Sequence, residues 1–407
     1  MNPNILPNLS SAHSPRVDSY VAATSESALN RTTNPIHALL EASNTFLQAG
    51  ALDAVAPIEV LLAEPLGKEA QPRLMQLEAH EARVTCLTTL NVSPQQLTES
   101  VIQAMKGKVT DLLVVRGNCQ VNQEFVEALA HMELPRHVLR VGTGMDNIDT
   151  DVLDRAGITY SNTPEVNTES AAELAIGLLF AAARGITVAN DRIKKGNWSR
   201  TYLTGLELRG KTLGVVGYGR IGQTVAKTAA AIGMKVNVLA PRHKAHKPED
   251  SISSVEFLNL EALTQTADFL TIHIPLTRET RNLIGQRELD NLSGRNAVLV
   301  NTARGGIVDE QVLLDKLNEG SIYAAGIDVF EQEDGPKGCV SDQLAKHPRV
   351  VAAPHIGGQT LEASYKMADQ VVLKAKQMYV ERLSATKTNQ DRLNQTGFSV
   401  KQTSSTH

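Results

Sequence analysis

Three short segments each place a chemically capable side chain just past an apolar run. They are Asn301-Thr-Ala-Arg304-Gly-Gly-Ile-Val-Asp309, Gly326-Ile-Asp328-Val-Phe-Glu-Gln-Glu333 and Pro354-His355-Ile-Gly357-Gly358. Taken singly, Arg304 reads as a surface charge, Glu333 as a solvated loop acid and His355 as a satisfied histidine. Together they supply what hydride transfer to a 2-keto acid needs besides a nicotinamide. A fixed guanidinium holds a carboxylate and polarises the adjacent carbonyl through directional hydrogen bonds. An imidazole is suited to give the nascent alcohol its proton near neutral pH. A carboxylate beside that imidazole orients the ring and favours its protonated form. Arg304, His355 and Glu333 are the candidates for these three catalytic roles.

The nicotinamide carrier has its own signature. Lys211 to Ala226 reads KTLGVVGYGRIGQTVA and contains Gly217-x-Gly219-x-x-Gly222. Glycine is common, so the spacing alone is weak; its position between an apolar strand (Leu213–Val216) and a helix from Ile221 makes it specific. Gly217 permits the tight turn, Gly219 lets the backbone approach a pyrophosphate, and Gly222 lets the helix pack against the strand. The helix N-terminus then offers free N–H groups to the phosphates. The next strand, Lys235–Leu239, should end at an acid that holds the ribose 2′-hydroxyl of NAD, about 20 positions past the glycines. Ala240 stands there, followed by Pro241-Arg242-His243-Lys244. Two readings stay open: NADP, with Arg242 pairing a 2′-phosphate, or relaxed NAD binding beside a solvated basic loop.

The elements that must position these residues alternate between strand and helix. Apolar runs at Ile58–Leu62, Arg83–Thr88, Asp111–Val115 and Val138–Val141, and again at Leu213–Val216, Lys235–Leu239, Phe269–His273, Ala297–Asn301 and Ala324–Asp328, have the Val/Ile/Leu character of strands buried on both faces. The expected fold class is α/β with doubly wound parallel sheets. The chain's 407 residues suit two domains. Its 40 Lys+Arg against 44 Asp+Glu leave a net charge of −4, without the basic excess of a nucleic-acid binder. The longest apolar stretch, Leu174–Ala183, is far short of the roughly 20 residues of a membrane helix. Cys86, Cys119 and Cys339 are too scattered for a disulfide framework or a zinc cluster, so no metal is expected and a cytoplasmic location is. Residues 1–57 read as an N-terminal extension, a polar tail followed by one amphipathic helix over Pro35–Gly50. Residues 384–407 read as a second polar, frayed tail.

These motifs in this order resemble the D-isomer-specific 2-hydroxyacid dehydrogenases: GYGRIG at 217–222, HIPLT at 273–277, NTARGGIVDE at 301–310, GIDVFEQE at 326–333 and PHIGG at 354–358. The resemblance runs from about Ile58 to about Gln377. It implies two Rossmann-like domains, a dinucleotide domain (166–351) inserted into a discontinuous, flavodoxin-like substrate domain (58–165 and 352–383), with Thr168–Ala183 as a linking helix at the hinge. It implies the catalytic trio Arg304, Glu333 and His355, and NAD or NADP touching Arg220, Ile221, Thr277, Thr302, Ala303, Arg304 and Asp328, with His355, Gly357 and Gly358 beside the nicotinamide. On the substrate side it implies Arg116, Gly117 and Asn118 as a carboxylate-binding loop, and Gly142 within Arg140-Val-Gly-Thr-Gly144-Met-Asp-Asn147-Ile-Asp149 as a second loop lining the cleft.

Lys195-Gly-Asn-Trp198-Ser-Arg200 is similar to 3-phosphoglycerate dehydrogenases of serine biosynthesis, with Arg116 and Arg200 as candidate phosphate contacts. Against this, Asn118 stands where some of those enzymes carry a second arginine. The stretch after His355 is also short for their C-terminal regulatory domain. The missing acid at Ala240 is similar to NADP-using glyoxylate and hydroxypyruvate reductases. A different class with this fold, the dinucleotide-sensing corepressors that act as scaffolds, can also keep the trio. The expected partner is a small 2-hydroxy or 2-keto acid, with no nucleic acid, no membrane and a homodimer as the assembly.

Overall fold

The computed structural model describes residues 55–77, 79–87, 92–201, 203–240, 255–333 and 335–395. Arg242 and the helix expected over Pro35–Gly50 lie outside them. The chain divides into two compact units, one formed by Leu77–Ala82, residues up to Ile58 and residues from Leu373, the other by Glu59–Gln76 with Arg83–Val372. In the first, Lys376 Nζ donates to both carboxylate oxygens of Glu81 at 2.9 and 2.8 Å, and both side chains are buried.

The second unit holds the sheets. The chain order of the first is β1 (Ile58–Leu62), β2 (Ala82–Cys86), α1 (Pro94–Met105), β3 (Leu112–Val115), α2 (Gln123–Ala128), β4 (His137–Arg140), α3 (Thr150–Ala156) and β5 (Thr159–Asn162). Its strands lie in the order β2-β1-β3-β4-β5, and the β1–β3, β3–β4 and β4–β5 pairs are parallel. This is the flavodoxin-like order. Leu113, Val115, Phe125, Leu129, Val138 and Leu153 form its core.

The chain then runs through α4 (Thr168–Arg184) and α5 (Ile186–Lys194) into β6 (Thr212–Val216), α6 (Arg220–Ala231), β7 (Lys235–Leu239), β8 (Val255–Phe257), α7 (Leu260–Thr266), β9 (Phe269–Ile272), α8 (Gln286–Leu292), β10 (Val298–Asn301), α9 (Glu310–Glu319), β11 (Ala324–Ile327), α10 (Val340–Lys346), β12 (Val350–Ala352) and α11 (Leu361–Gln395). The seven strands lie in the order β12-β11-β10-β9-β6-β7-β8, paired parallel throughout. The order reverses between β6 and β9, and the crevice beyond the carboxyl ends there is where such sheets take ligands.

One face of this sheet is covered by α4 and α6, the other by α7, α8 and α9. The alanine-rich face of α4 comes so close to β11 that a Cβ on Gly326 would lie 2.8 Å from that of Leu178. Among the described residues no single helix is long and apolar enough to cross a membrane. The apolar stretch of α4 is spent on this core: Leu179 is 1% exposed, and its truncation to Ala should cost about 2–5 kcal/mol.

Two sequence expectations change. The strands β5, β8 and β12 were not foreseen; each is short, and β5 carries the polar sequence TYSN on half-exposed positions. The polar tail expected from Ser384 is helical as far as Gln395. No glycine or proline interrupts 384–395, and the hydroxyls of Ser384, Thr386 and Thr388 fold back on the carbonyls four residues earlier. A polar composition therefore did not end the helix.

Candidate active site

The turn after β6 is built by excluding side chains. Gly217 has φ +99°, and a Cβ there would lie 2.5 Å from the His273 carbonyl oxygen. A Cβ on Gly222 would lie 2.0 Å from the Gly217 carbonyl oxygen, whereas one on Gly219 would meet nothing within 4 Å. Gly219 is the N-cap of α6, and no side chain caps that end. The first N–H groups of a twelve-residue helix thus face an open glycine, the arrangement a pyrophosphate requires. Past the end of β10, Thr302 Oγ1 is buried without a hydrogen-bond partner. Those two observations fit a dinucleotide. Arg220 pairs with Glu165 at 3.2 Å, Ile221 packs on the core, and Ala240 closes β7 as a buried, uncharged residue. Thr277 lies at the exposed end of the segment after β9, donating to Glu279 at 2.7 Å.

The trio emerges from three adjacent strand ends, β10, β11 and β12. Asn301 closes β10 and folds its own loop: its amide donates to the Arg304 carbonyl at 2.9 Å and accepts from the Ala303 N–H at 3.1 Å. A Cβ on Gly305 would lie 2.1 Å from the Phe330 carbonyl oxygen, so the loop bearing Arg304 rests on the backbone of the loop bearing Glu333. That second loop is braced by Glu310, which accepts from the Glu331 N–H at 2.7 Å and from the Ser341 hydroxyl, while Ser341 in turn accepts from the Gln332 N–H at 3.1 Å. Burial pushes the Glu310 carboxyl above its ordinary range.

His355 has φ +54°, a conformation unfavourable to most side chains. It is held there by Asp328, whose carbonyl accepts from the His355 N–H at 2.8 Å and whose carboxylate accepts from Ile356 and Gly357, each at 2.8 Å. Burial raises the Asp328 carboxyl, against the pull of those two N–H groups. The turn aims His355 Nδ1 at Glu333, 2.9 Å from Oε1 and 3.1 Å from Oε2. Gly358 packs against Asn167, at the N-cap of α4.

On the other sheet, the loop after β3 is clamped from both sides. Glu64 Oε1 accepts from the Arg116 N–H at 2.9 Å and the Cys119 N–H at 3.3 Å. Asn147 Nδ2 donates to the Arg116 and Cys119 carbonyls at 2.9 and 2.6 Å. Gly117 and Asn118 form the exposed tip. The Arg116 guanidinium donates to the Pro65 carbonyl at 3.0 Å, and burial lowers its pKa.

Next to it lies Arg140, at the end of β4. Its Nη1 occupies the space a Cβ on Gly142 would need, 1.6 Å away, and its Nη2 lies 4.0 Å from the same position on Gly117. Its Nε is buried without a partner. Burial first, then the charge of Arg304, pushes Arg140 down to about 10, so it remains a cation at neutral pH. Arg304 lies across Gly144 in the same way, with Nη2 1.7 Å from that Cβ position. The structure thus gathers Arg116, Arg140 and Arg304 around the bare faces of Gly117, Gly142 and Gly144.

Arg200 is not gathered with them: it is exposed in the segment after α5, and among the described residues no hydrogen bond or ion pair joins it to the cluster. Sequence reasoning missed Arg140 as a contact in its own right; the available signal was a lone charge ending the buried strand HVLR. It also missed Glu64, Asp146 and Glu310, which bind loops rather than ligands.

A doubly wound sheet with an uncapped glycine turn at its switch point, and a cation–imidazole–carboxylate set on the neighbouring strand ends, defines a dinucleotide-dependent oxidoreductase. Residues 176–357 match the family model for the D-isomer specific 2-hydroxyacid dehydrogenase, NAD binding domain. The chain is 38% identical over 320 residues to hydroxypyruvate reductase of Thermotoga maritima, covering 79% of this chain and 98% of that one. It is 37% identical over 318 residues to D-3-phosphoglycerate dehydrogenase of Methanocaldococcus jannaschii, covering 77% of this chain but only 56% of that one. The chain therefore spans little more than half the length of that second relative. Among solved structures it resembles D-lactate dehydrogenase from Aquifex aeolicus complexed with NAD and lactic acid, at 26% identity and a TM-score of 0.63, over 79% of this chain and 95% of that one. The chain belongs to the D-isomer specific 2-hydroxyacid dehydrogenases. It is an oxidoreductase of D-2-hydroxy acids that uses NAD or NADP.

Proposed function

We propose that this dehydrogenase acts on a D-2-hydroxy acid that carries a second anionic group, of the 3-phosphoglycerate kind, and on the corresponding 2-keto acid. The observation that carries the reading is Arg140, buried with an unpartnered Nε beside Arg116 and Arg304. Its Nη1 donates to the Val141 carbonyl at 3.0 Å, and Asp146 and Glu64 support its charge in part against burial, Arg304 and Arg116, so a further anion beside the unpartnered Nε is favourable. One cation suffices for a carboxylate; three suit a substrate with a further phosphate.

In this reading Arg304 anchors the substrate carboxylate and polarises the keto oxygen, helped by the N–H groups of Gly117 and Asn118. His355 supplies the proton to that oxygen in reduction and takes it back in oxidation. Glu333 holds the imidazole through Nδ1, leaving Nε2 for the substrate. The nicotinamide, held at the turn 217–222, supplies or accepts the hydride. The division into a substrate domain (58–165 and 352–383) and an inserted dinucleotide domain (166–351) is part of the proposal, supported by strands that fall at 58–162 and 212–352. A homodimer is supported by α5, which buries no residue in its own chain while Ile186, Ile193 and Trp198 stand exposed. A cytoplasmic setting is supported by three unpaired cysteines.

A second reading rests on Ala240. The end of β7 carries no acid to hold a 2′-hydroxyl, which favours an NADPH-using reductase of glyoxylate or hydroxypyruvate. Initial rates with NADH and NADPH against 3-phosphohydroxypyruvate, hydroxypyruvate and glyoxylate separate the two. Preference in kcat/KM for the phosphorylated acid supports the first reading. Preference for the small acids with NADPH replaces it with the second.

A further inference from the structure

Arg304 does not stand free in the cleft. Its Nε donates to Asp146 Oδ2 at 2.6 Å, and its Nη1 donates to the Ala303 carbonyl at 2.6 Å. Of the five N–H donors of a guanidinium, those remaining are on the two Nη atoms. Asp146 comes from the loop after β4 and Arg304 from the loop after β10, 158 residues apart. The pair is thus a bond between the loop after β4 of one sheet and the candidate anchor of the other. Asp146 also faces Arg140, whose charged form it supports against the opposing charge of Arg304.

We propose that Asp146 is the positioning residue of Arg304: by occupying Nε it fixes the plane of the guanidinium so that the Nη edge faces the substrate carboxylate. This rests on the reading of Arg304 as the carboxylate anchor. The geometry favours positioning over mere surface pairing. The contact uses the one nitrogen of the fork that points back along the side chain. Gly144 makes room for the pair: a Cβ there would lie 1.7 Å from Nη2 and 2.7 Å from Asp146 Oδ2. The pair is half-exposed, so its contribution is orientation rather than stability. Without Asp146, Arg304 and Arg140 lose the anion between them, and the guanidinium is free to rotate away.

The test is steady-state kinetics of keto-acid reduction by Asp146→Ala and Asp146→Asn, with NADH affinity measured by fluorescence. Asp146→Ala should raise KM for the keto acid at least tenfold while the Kd for NADH stays within twofold of the parent value. Asp146→Asn should recover part of the loss, because its amide oxygen still accepts from Nε. In an Arg304→Lys background, which has no Nε to hold, Asp146→Ala should change KM by less than twofold. An unchanged KM in Asp146→Ala overturns the proposal. So does a lower KM, which would make Asp146 a competitor of the substrate, or an equal loss in the Lys background, which would make its role structural. If Arg304→Lys itself leaves KM unaltered, the anchor assignment falls, and the positioning role with it.

Discussion

The glycine turn after β6 and the arginine group beyond β3 and β4 are both built to receive anions, by opposite means. The turn uses backbone alone. It works because Gly217 and Gly222 carry no Cβ, and because no side chain caps α6. The arginine group uses charge. Its glycines, Gly142 and Gly144, are bare so that Arg140 and Arg304 can lie across them. A backbone site reads any phosphate diester with the right span, which suits a cofactor common to many reactions. A charge site reads the number and placement of anionic groups, which suits the choice of one acid among many.

The catalytic pair His355 and Glu333, beyond β12 and β11, should be separable from both. His355→Ala should lower kcat by about 10²–10⁴-fold, with NADH affinity within twofold of the parent in a fluorescence titration. A matching loss of cofactor affinity would mean that the turn and the trio are one unit.

Gly222→Ala attacks the backbone site. Its Cβ would fall 2.0 Å from the Gly217 carbonyl, so α6 must move. A loss of about 1–3 kcal/mol in thermal or denaturant unfolding is expected, with weaker binding of NADH and NADPH alike. The keto-acid KM, measured at saturating cofactor, should change little.

Ala240→Asp sharpens the comparison at the far end of the cofactor. A carboxylate at the end of β7 would repel a 2′-phosphate and hold a 2′-hydroxyl, moving the NADH-to-NADPH ratio of kcat/KM toward NADH by about tenfold. An unmoved ratio would place cofactor choice elsewhere.

The last effect is a pH dependence. Burial pushes His273, beneath the turn, down to about 3. Its Nε2 lies 2.9 Å from Thr271 Oγ1. In the unfolded chain it takes up a proton near pH 6.5, in the folded protein only near 3. Its share of stability is therefore complete above about 6.5 and is lost as pH falls from there toward 3. Urea midpoints should decline over that window, and His273→Gln should flatten the decline.

How much of this could be read from the chain follows the same division. The turn was legible because its glycines lie within six residues between a strand and a helix, and Lys235–Leu239 matches β7 residue for residue. Arg304 and Glu333 stood out because each follows an apolar run read as a strand; His355 follows β12, which was not foreseen, and stood out by its PHIGG segment. Of the charge site, Arg116, Gly142 and Arg304 were named by resemblance, but Arg140 and the residues that hold the loops were not, because those supports are remote in sequence. Glu64 reaches the Arg116 loop across 52 residues and Asp146 reaches Arg304 across 158, and no local pattern announces such pairs. Arg200, two residues past Trp198, was given weight by proximity in sequence, yet among the described residues it makes no bond to the other cations.

The account turns on whether the cations at the ends of β3 and β4 read a second anionic group. The most direct measurement is the ratio of kcat/KM for 3-phosphohydroxypyruvate to that for hydroxypyruvate, in the parent protein and in Arg140→Ala. The parent should favour the phosphorylated acid at least a hundredfold, and Arg140→Ala should reduce that preference by at least tenfold, with hydroxypyruvate turnover changed far less. A parent that prefers hydroxypyruvate, or a ratio indifferent to Arg140, would contradict it.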